Sequence, residues 1–212
     1  MKSALRRIST RALAGTAVAL LPIVVLASPA SAATTVNFDC QANAPIVGPQ
    51  SASLSQDATV TAPVTVAAGA SLDIVVNPAP TTVPSTVSSF TIKDLTGFAF
   101  KIPVPANTTY VNATLTGGSG LGSTPTITES GGVATVNFDG PIAGGATFQL
   151  PTVTIWLTAG ASGTIETHLG GTSFTDPGLT FTTVVSSFLG DISAPTACFP
   201  NPSPVFSTTT IG

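Results

Sequence analysis

Short runs in which apolar and polar residues alternate one by one, each cut off by proline or glycine, constrain the fold of this chain more than any other feature. Phe98, Phe100 and Ile102 alternate with Ala99 and Lys101, and Val111, Ala113 and Leu115 with Asn112 and Thr114. Ala134, Val136 and Phe138 alternate with Thr135 and Asn137, and Val153, Ile155 and Leu157 with Thr154 and Trp156. Successive side chains of an extended strand point to opposite faces, so each run presents one apolar face and one polar face. A helix would space its apolar residues three and four apart, a pattern missing from the chain beyond its N-terminal region. Prolines at 78, 80, 84, 103, 105, 125, 141, 151 and 177 remove backbone donors every few residues, which confines strands to short lengths or to edges. Glu129-Ser130-Gly131-Gly132 is a hairpin signal, and Thr116–Thr124, with Gly117, Gly118, Gly120 and Gly122, reads as a loop. About ten strands at such spacing predict an all-β fold, a β-sandwich.

The first 32 residues carry a different signal. Lys2, Arg6, Arg7 and Arg11 precede an apolar run from Ala12 to Leu26, and Ala30-Ser31-Ala32 offers a small-residue cleavage site. Residues 1–32 are therefore expected to be a cleaved signal peptide, with the mature chain secreted or associated with the cell wall. Ile8-Ser9-Thr10 after the arginine pair does not fit twin-arginine export. No later segment reaches the roughly 18 uncharged apolar residues of a spanning helix, so the mature chain is expected to have no transmembrane segment. It also has no sorting tail and no lipoprotein cysteine at the expected cleavage point.

Beyond Ala32 the only basic side chains besides His168 are Lys93 and Lys101, against nine acids. Binding a nucleic-acid backbone takes several clustered Lys or Arg, so nucleic acid is excluded as a partner, and anionic headgroups are disfavoured for the same reason. Two cysteines remain, Cys40 and Cys198. In an oxidising compartment the simplest pairing is a disulfide, closing a loop of about 160 residues; two buried thiols or a metal pair are the alternatives. Neither cysteine has the nearby Cys or His that zinc requires.

The chain also echoes itself. Thr35-Val36-Asn37-Phe38-Asp39 recurs as Thr135-Val136-Asn137-Phe138-Asp139, and Pro45-Ile46-Val47-Gly48 is matched by Pro141-Ile142-Ala143-Gly144. Ala68-Gly69-Ala70-Ser71 recurs as Ala159-Gly160-Ala161-Ser162, and Ser88-Ser89-Phe90 as Ser186-Ser187-Phe188. The consistent order points to two related β-sandwich halves, 33–120 and 121–212; the competing reading is that Thr-, Ala- and Gly-rich strands resemble one another anyway.

Asn37-Phe38-Asp39-Cys40, Pro63-Val64-Thr65-Val66 with the following Ala-Gly-Ala-Ser, and Cys198-Phe199-Pro200-Asn201-Pro202 resemble small secreted actinobacterial proteins with an immunoglobulin-like β-sandwich and no assigned activity. The resemblance implies a fold and carries no catalytic residue.

Residues able to do chemistry are few. His168 shares the outer face of its run with Glu166, while Ile165, Thr167 and Leu169 point inward; a solvated pair is expected. Gly117-Gly118-Ser119-Gly120-Leu121 misses the last glycine of a nucleophile elbow and lacks the lysine of a phosphate loop. Asp39, Asp57, Asp73, Asp94, Glu129, Asp139, Glu166, Asp176 and Asp191 are the pool from which a glycosidase would draw two carboxylates about 5 to 10 Å apart. Asp139, Asp176 and Asp191 are the calcium candidates, although no Asp-x-Asp-x-Asp-Gly loop is present. Asn107-Thr108-Thr109 and Asn112-Ala113-Thr114 match the N-glycosylation pattern and read as incidental. Trp156 and Tyr110, each opposite the apolar set of its strand, are the candidate ligand contacts.

These observations predict a non-enzymatic exported module, structural or interacting, with no catalytic residue, metal or cofactor. It would contact an envelope protein, polysaccharide or lipid surface. The alternatives are a glycan- or lipid-binding module using Trp156 and Tyr110, and a carboxylate-dependent glycosidase.

Overall fold

The computed structural model describes residues 29–45, 48–87, 89–187 and 190–212. The expected leader lies outside the described residues as far as Ser28, as do parts of two of the four echoes, at Ile46-Val47, Ser88 and Phe188. The chain runs through β1 (Pro29–Ala44), β2 (Gly48–Pro63), β3 (Thr65–Val66), β4 (Ser71–Pro78), β5 (Thr81–Thr82) and β6 (Thr86–Val87). It continues through β7 (Phe90–Pro103), β8 (Thr108–Thr116), β9 (Thr126–Ser130), β10 (Val133–Phe138), β11 (Ile142–Ala143) and β12 (Thr147–Phe148). Last come β13 (Thr152–Ala159), β14 (Gly163–Thr167), β15 (Leu179–Ser187), β16 (Gly190–Pro200) and β17 (Ser207–Ile211). The fold is all-β, as the alternation predicts, and the described residues contain no helix. The prolines punctuate it: Pro78 and Pro103 end strands, while Pro125, Pro141 and Pro151 each stand directly before one.

The large sheet has the order β8-β13-β4-β2-β1-β16-β15-β7-β10-β9, with β6 and β11 added along β7. Its inward residues form one core, including Val36, Val60, Ile74, Ile102, Val136 and Ile155, all almost fully buried. A single sheet can feed one core from all its strands only by curling over itself into two layers. The edge strands β8 and β9 accordingly come close: burial, and then the charge of Glu129 on β9, raise the pKa of Tyr110 on β8. Strands from either side of residue 120 are interleaved along this sheet. The two Ala-Gly-Ala turns meet, Gly69 N donating to Gly160 O at 3.2 Å and Ala159 N to Ala70 O at 2.9 Å.

The two ends of the sandwich differ. At one end β14, β17 and β3 form a small sheet whose Ile165 and Ile211, with Leu169 and Phe206 beside it, plug the core. Thr209 Oγ1 ties it to Pro63 O, and Thr210 N donates to Val64 O at 2.9 Å. A glycine pair makes a close approach nearby: a Cβ on Gly178 would overlap the carbonyl of Gly170, so no larger residue fits there. The other end is formed by three hairpin turns. The antiparallel registers Ala42↔Thr196 and Ser186↔Thr91 bring the β1–β2, β15–β16 and β6–β7 turns to the same side.

Candidate functional site

Along β2 the inward positions are half-buried at Gln50, Ala52, Leu54 and Gln56 and become buried at Ala58, Val60 and Ala62. The core along β2 is thus less deeply buried toward its Gly48 end than toward its Pro63 end. The reason is side-chain size. Near the turns the inward positions hold Ala42 and Ala44 on β1, Ala52 on β2 and Ala194 on β16, alongside the larger Val87, Phe90, Val185 and Ile192. Small residues on facing layers leave volume that the backbone spacing cannot take up.

That volume is an outer lobe of about 100 Å3, with the Cys40 position in its wall. Its far wall is the 79–87 connection, which contributes Val83, Pro84 and Val87. This connection is held as a strap. Gln56 Nε2 donates to Ala79 O at 2.7 Å, Val83 N to Ala146 O at 2.9 Å, and Ile92 N to Ser85 O at 2.9 Å. An inner lobe, also of about 100 Å3, runs on toward the small sheet beneath Phe98, Phe138 and Phe148, with Leu169 and Phe206 in its walls. Leu54, Val83, Pro84, Leu95 and Phe181 line both lobes, which therefore lie side by side across these residues. Together they follow β2 from Gln50 to Ala58, roughly 27 Å of strand at about 3.4 Å per residue.

The walls are apolar, and polar groups among them are hydrogen-bonded within the protein, Ser55 to Asn37, Gln56 to Ala79 O and Thr82 to Thr147. The Thr183 and Thr196 hydroxyls lie 3.0 Å apart, and Thr196 Oγ1 also donates to Ala194 O at 3.1 Å. No Asp, Glu, His, Lys or Arg lines either lobe among the described residues. Such a space offers nothing for acid–base or nucleophilic chemistry and suits a hydrocarbon.

The residues singled out from the sequence lie elsewhere. Trp156 stands on the outer face of β13, 37% exposed, in one cross-strand row with Asp73 on β4 and Asn112 on β8. Tyr110 does not join it. An extra residue in β8 shifts the register between Trp156 and Leu157, so Tyr110 pairs with the fully buried Leu157 and packs against the core. The same bulge turns Val111 outward to 60% exposure, against the inward position its alternation predicts. Glu166 and His168 form the expected outer pair, 3.6 Å apart and well exposed. Asp191 pairs with Lys93, Asp176 accepts from Thr172 Oγ1 at 2.9 Å, and the Asp139 backbone N–H donates to Ser123 Oγ. Asp39 accepts from Asn201 and Asp57 from Thr35. The calcium candidates are therefore not brought together, and no cluster of three His, Cys, Asp or Glu able to hold a metal occurs among the described residues. Cys40 and Cys198 form a disulfide.

No family model and no curated protein matches the chain. Among solved structures it is similar to a candidate membrane-anchored protein of Corynebacterium diphtheriae, with a TM-score of 0.55 at 22% identity. The match covers 85% of this chain and 38% of that one, so the chain spans well under half of that protein's length. At this identity the likeness concerns the fold alone.

Proposed function

We propose that the protein is an exported, non-enzymatic binding module of the cell envelope that holds one hydrocarbon chain of a lipid-like ligand in the two-lobed cavity. The observation that carries this reading is the cavity itself: two adjacent lobes along β2, walled by apolar side chains. Each methylene moved from water into such a space contributes about 0.8 kcal/mol, so chain length alone can supply affinity. The Cys40–Cys198 disulfide suits an oxidising compartment, in line with the leader-like N-terminus. The candidate membrane anchorage of the similar corynebacterial protein is compatible with an envelope location. The test is titration of the mature chain with Nile red, a neutral dye that brightens in apolar surroundings, followed by displacement with monolauroylglycerol. Saturable binding of one dye per chain, competed by the monoglyceride, is expected; no saturable binding would refute the reading.

A glycan-binding reading rests on one separate observation. The Trp156 indole is exposed between Asp73 and Asn112 on the outer sheet face, an arrangement suited to stacking under a sugar ring. Retention on immobilised cell-wall polysaccharide, lost in Trp156→Ala, would support it.

A further inference from the structure

We infer that the cavity selects amphiphiles with an uncharged head over those with an anionic head, an inference that rests on the hydrocarbon-binding reading above. The head of a single-chain ligand must stay at the mouth, because nothing deeper can solvate it. The wall of the outer lobe presents neutral polar groups there, Gln50, Ser51 and Thr183, and no cation.

The one lysine near the mouth is already engaged. Lys93 on β7 points to the outer face, next to the inward Ile92, and its ammonium pairs with Asp191 on β16. Asp191, and more weakly Asp94, hold its pKa above the ordinary lysine value. One ammonium among two carboxylates leaves the rim negative. Lys101 cannot compensate: it pairs in register with Thr135 and lies by Gly170, toward the opposite end of β7. Over the whole chain beyond the leader, nine acids face two lysines, so the far field also repels an approaching anion. Drawing a carboxylate inward is no escape, since an unpaired buried charge costs several kcal/mol or more. A hydroxyl or ester head meets none of these penalties.

The ligand class is thus a single-chain neutral amphiphile, such as a monoacylglycerol, a fatty alcohol or an alkyl ester. The experiment compares three probes with the same chain, monolauroylglycerol, lauryl alcohol and laurate, each displacing Nile red from the mature protein at pH 8. Laurate is expected to bind at least about tenfold more weakly than the two neutral probes in dilute buffer, and the gap should narrow as salt rises. Asp191→Asn, which frees the Lys93 ammonium, should narrow it in the wild-type buffer. Laurate binding as tightly as the neutral probes would overturn the selectivity while leaving the cavity reading intact. Failure of all three to displace the dye would overturn both.

Discussion

Cys40 and Cys198 stand directly opposite each other on β1 and β16, with Cα atoms 4.1 Å apart although they are 158 positions apart in the chain. The bond therefore staples adjacent central strands of the large sheet, and the loop it closes contains almost every other element of the fold. It also borders the outer lobe, so it fixes the part of the sandwich where packing is thinnest. Replacing both cysteines with alanine is expected to lower stability by about 2–5 kcal/mol. Urea unfolding followed by circular dichroism, with and without reductant, checks this. The wild type should shift on reduction and the double variant should not.

The cavity depends on alanines, and filling them should separate binding from folding. Ala42→Phe and Ala52→Phe place a ring in the outer lobe at half-buried positions, where overpacking costs about 1–3 kcal/mol. Nile red affinity should fall by at least about tenfold, since the ring takes the ligand's volume. Trp156→Ala, on the outer face, should leave dye affinity within about twofold of wild type.

Aromatic packing carries the inner lobe. Phe98 stacks on Phe138 with centroids 4.4 Å apart and on Phe181 at 5.4 Å. Phe98→Ala should cost about 3–5 kcal/mol and open further apolar volume in the inner lobe. Chemical denaturation gives the first quantity. Displacement by a longer-chain monoglyceride, gaining affinity relative to the lauroyl probe, gives the second.

Alkaline pH should weaken the fold. Burial and the charge of Glu129 raise the Tyr110 pKa, and the bond to Asp191 raises that of Lys93. Groups with raised folded-state pKa values contribute stability that is complete below their unfolded values, about 10 for both types, and lost as pH climbs through the folded values. The urea midpoint should therefore be flat near pH 8–9 and decline above about pH 10. Tyr110→Phe should remove part of the decline.

Much of this architecture was legible in the residues. The period-two runs at Phe98–Ile102, Ala134–Phe138, Val153–Leu157 and Ile165–Leu169 are strands facing as their pattern predicts, and the cysteine pair bonds as its number and setting imply. Tyr110 was misplaced because one extra residue in β8 reverses the parity of every position before it, and a bulge leaves no mark on composition. The long hairpin strand β2 was harder still, because its inward set reads Gln50, Ala52, Leu54, Gln56, with only one strongly apolar member. That weakness is the signature of the cavity. Alanine and glutamine at core-facing positions record missing bulk, but only the distance between layers turns missing bulk into a usable space.

The most direct test is to locate a ligand by anomalous scattering in crystals of the mature chain grown with 12-bromododecan-1-ol. The account predicts a bromine peak inside the sandwich near Leu54, Val83 and Phe181, with the hydroxyl toward Gln50 at the turn end. Bromine found only on the outer surface, or none bound at saturating ligand, would contradict it.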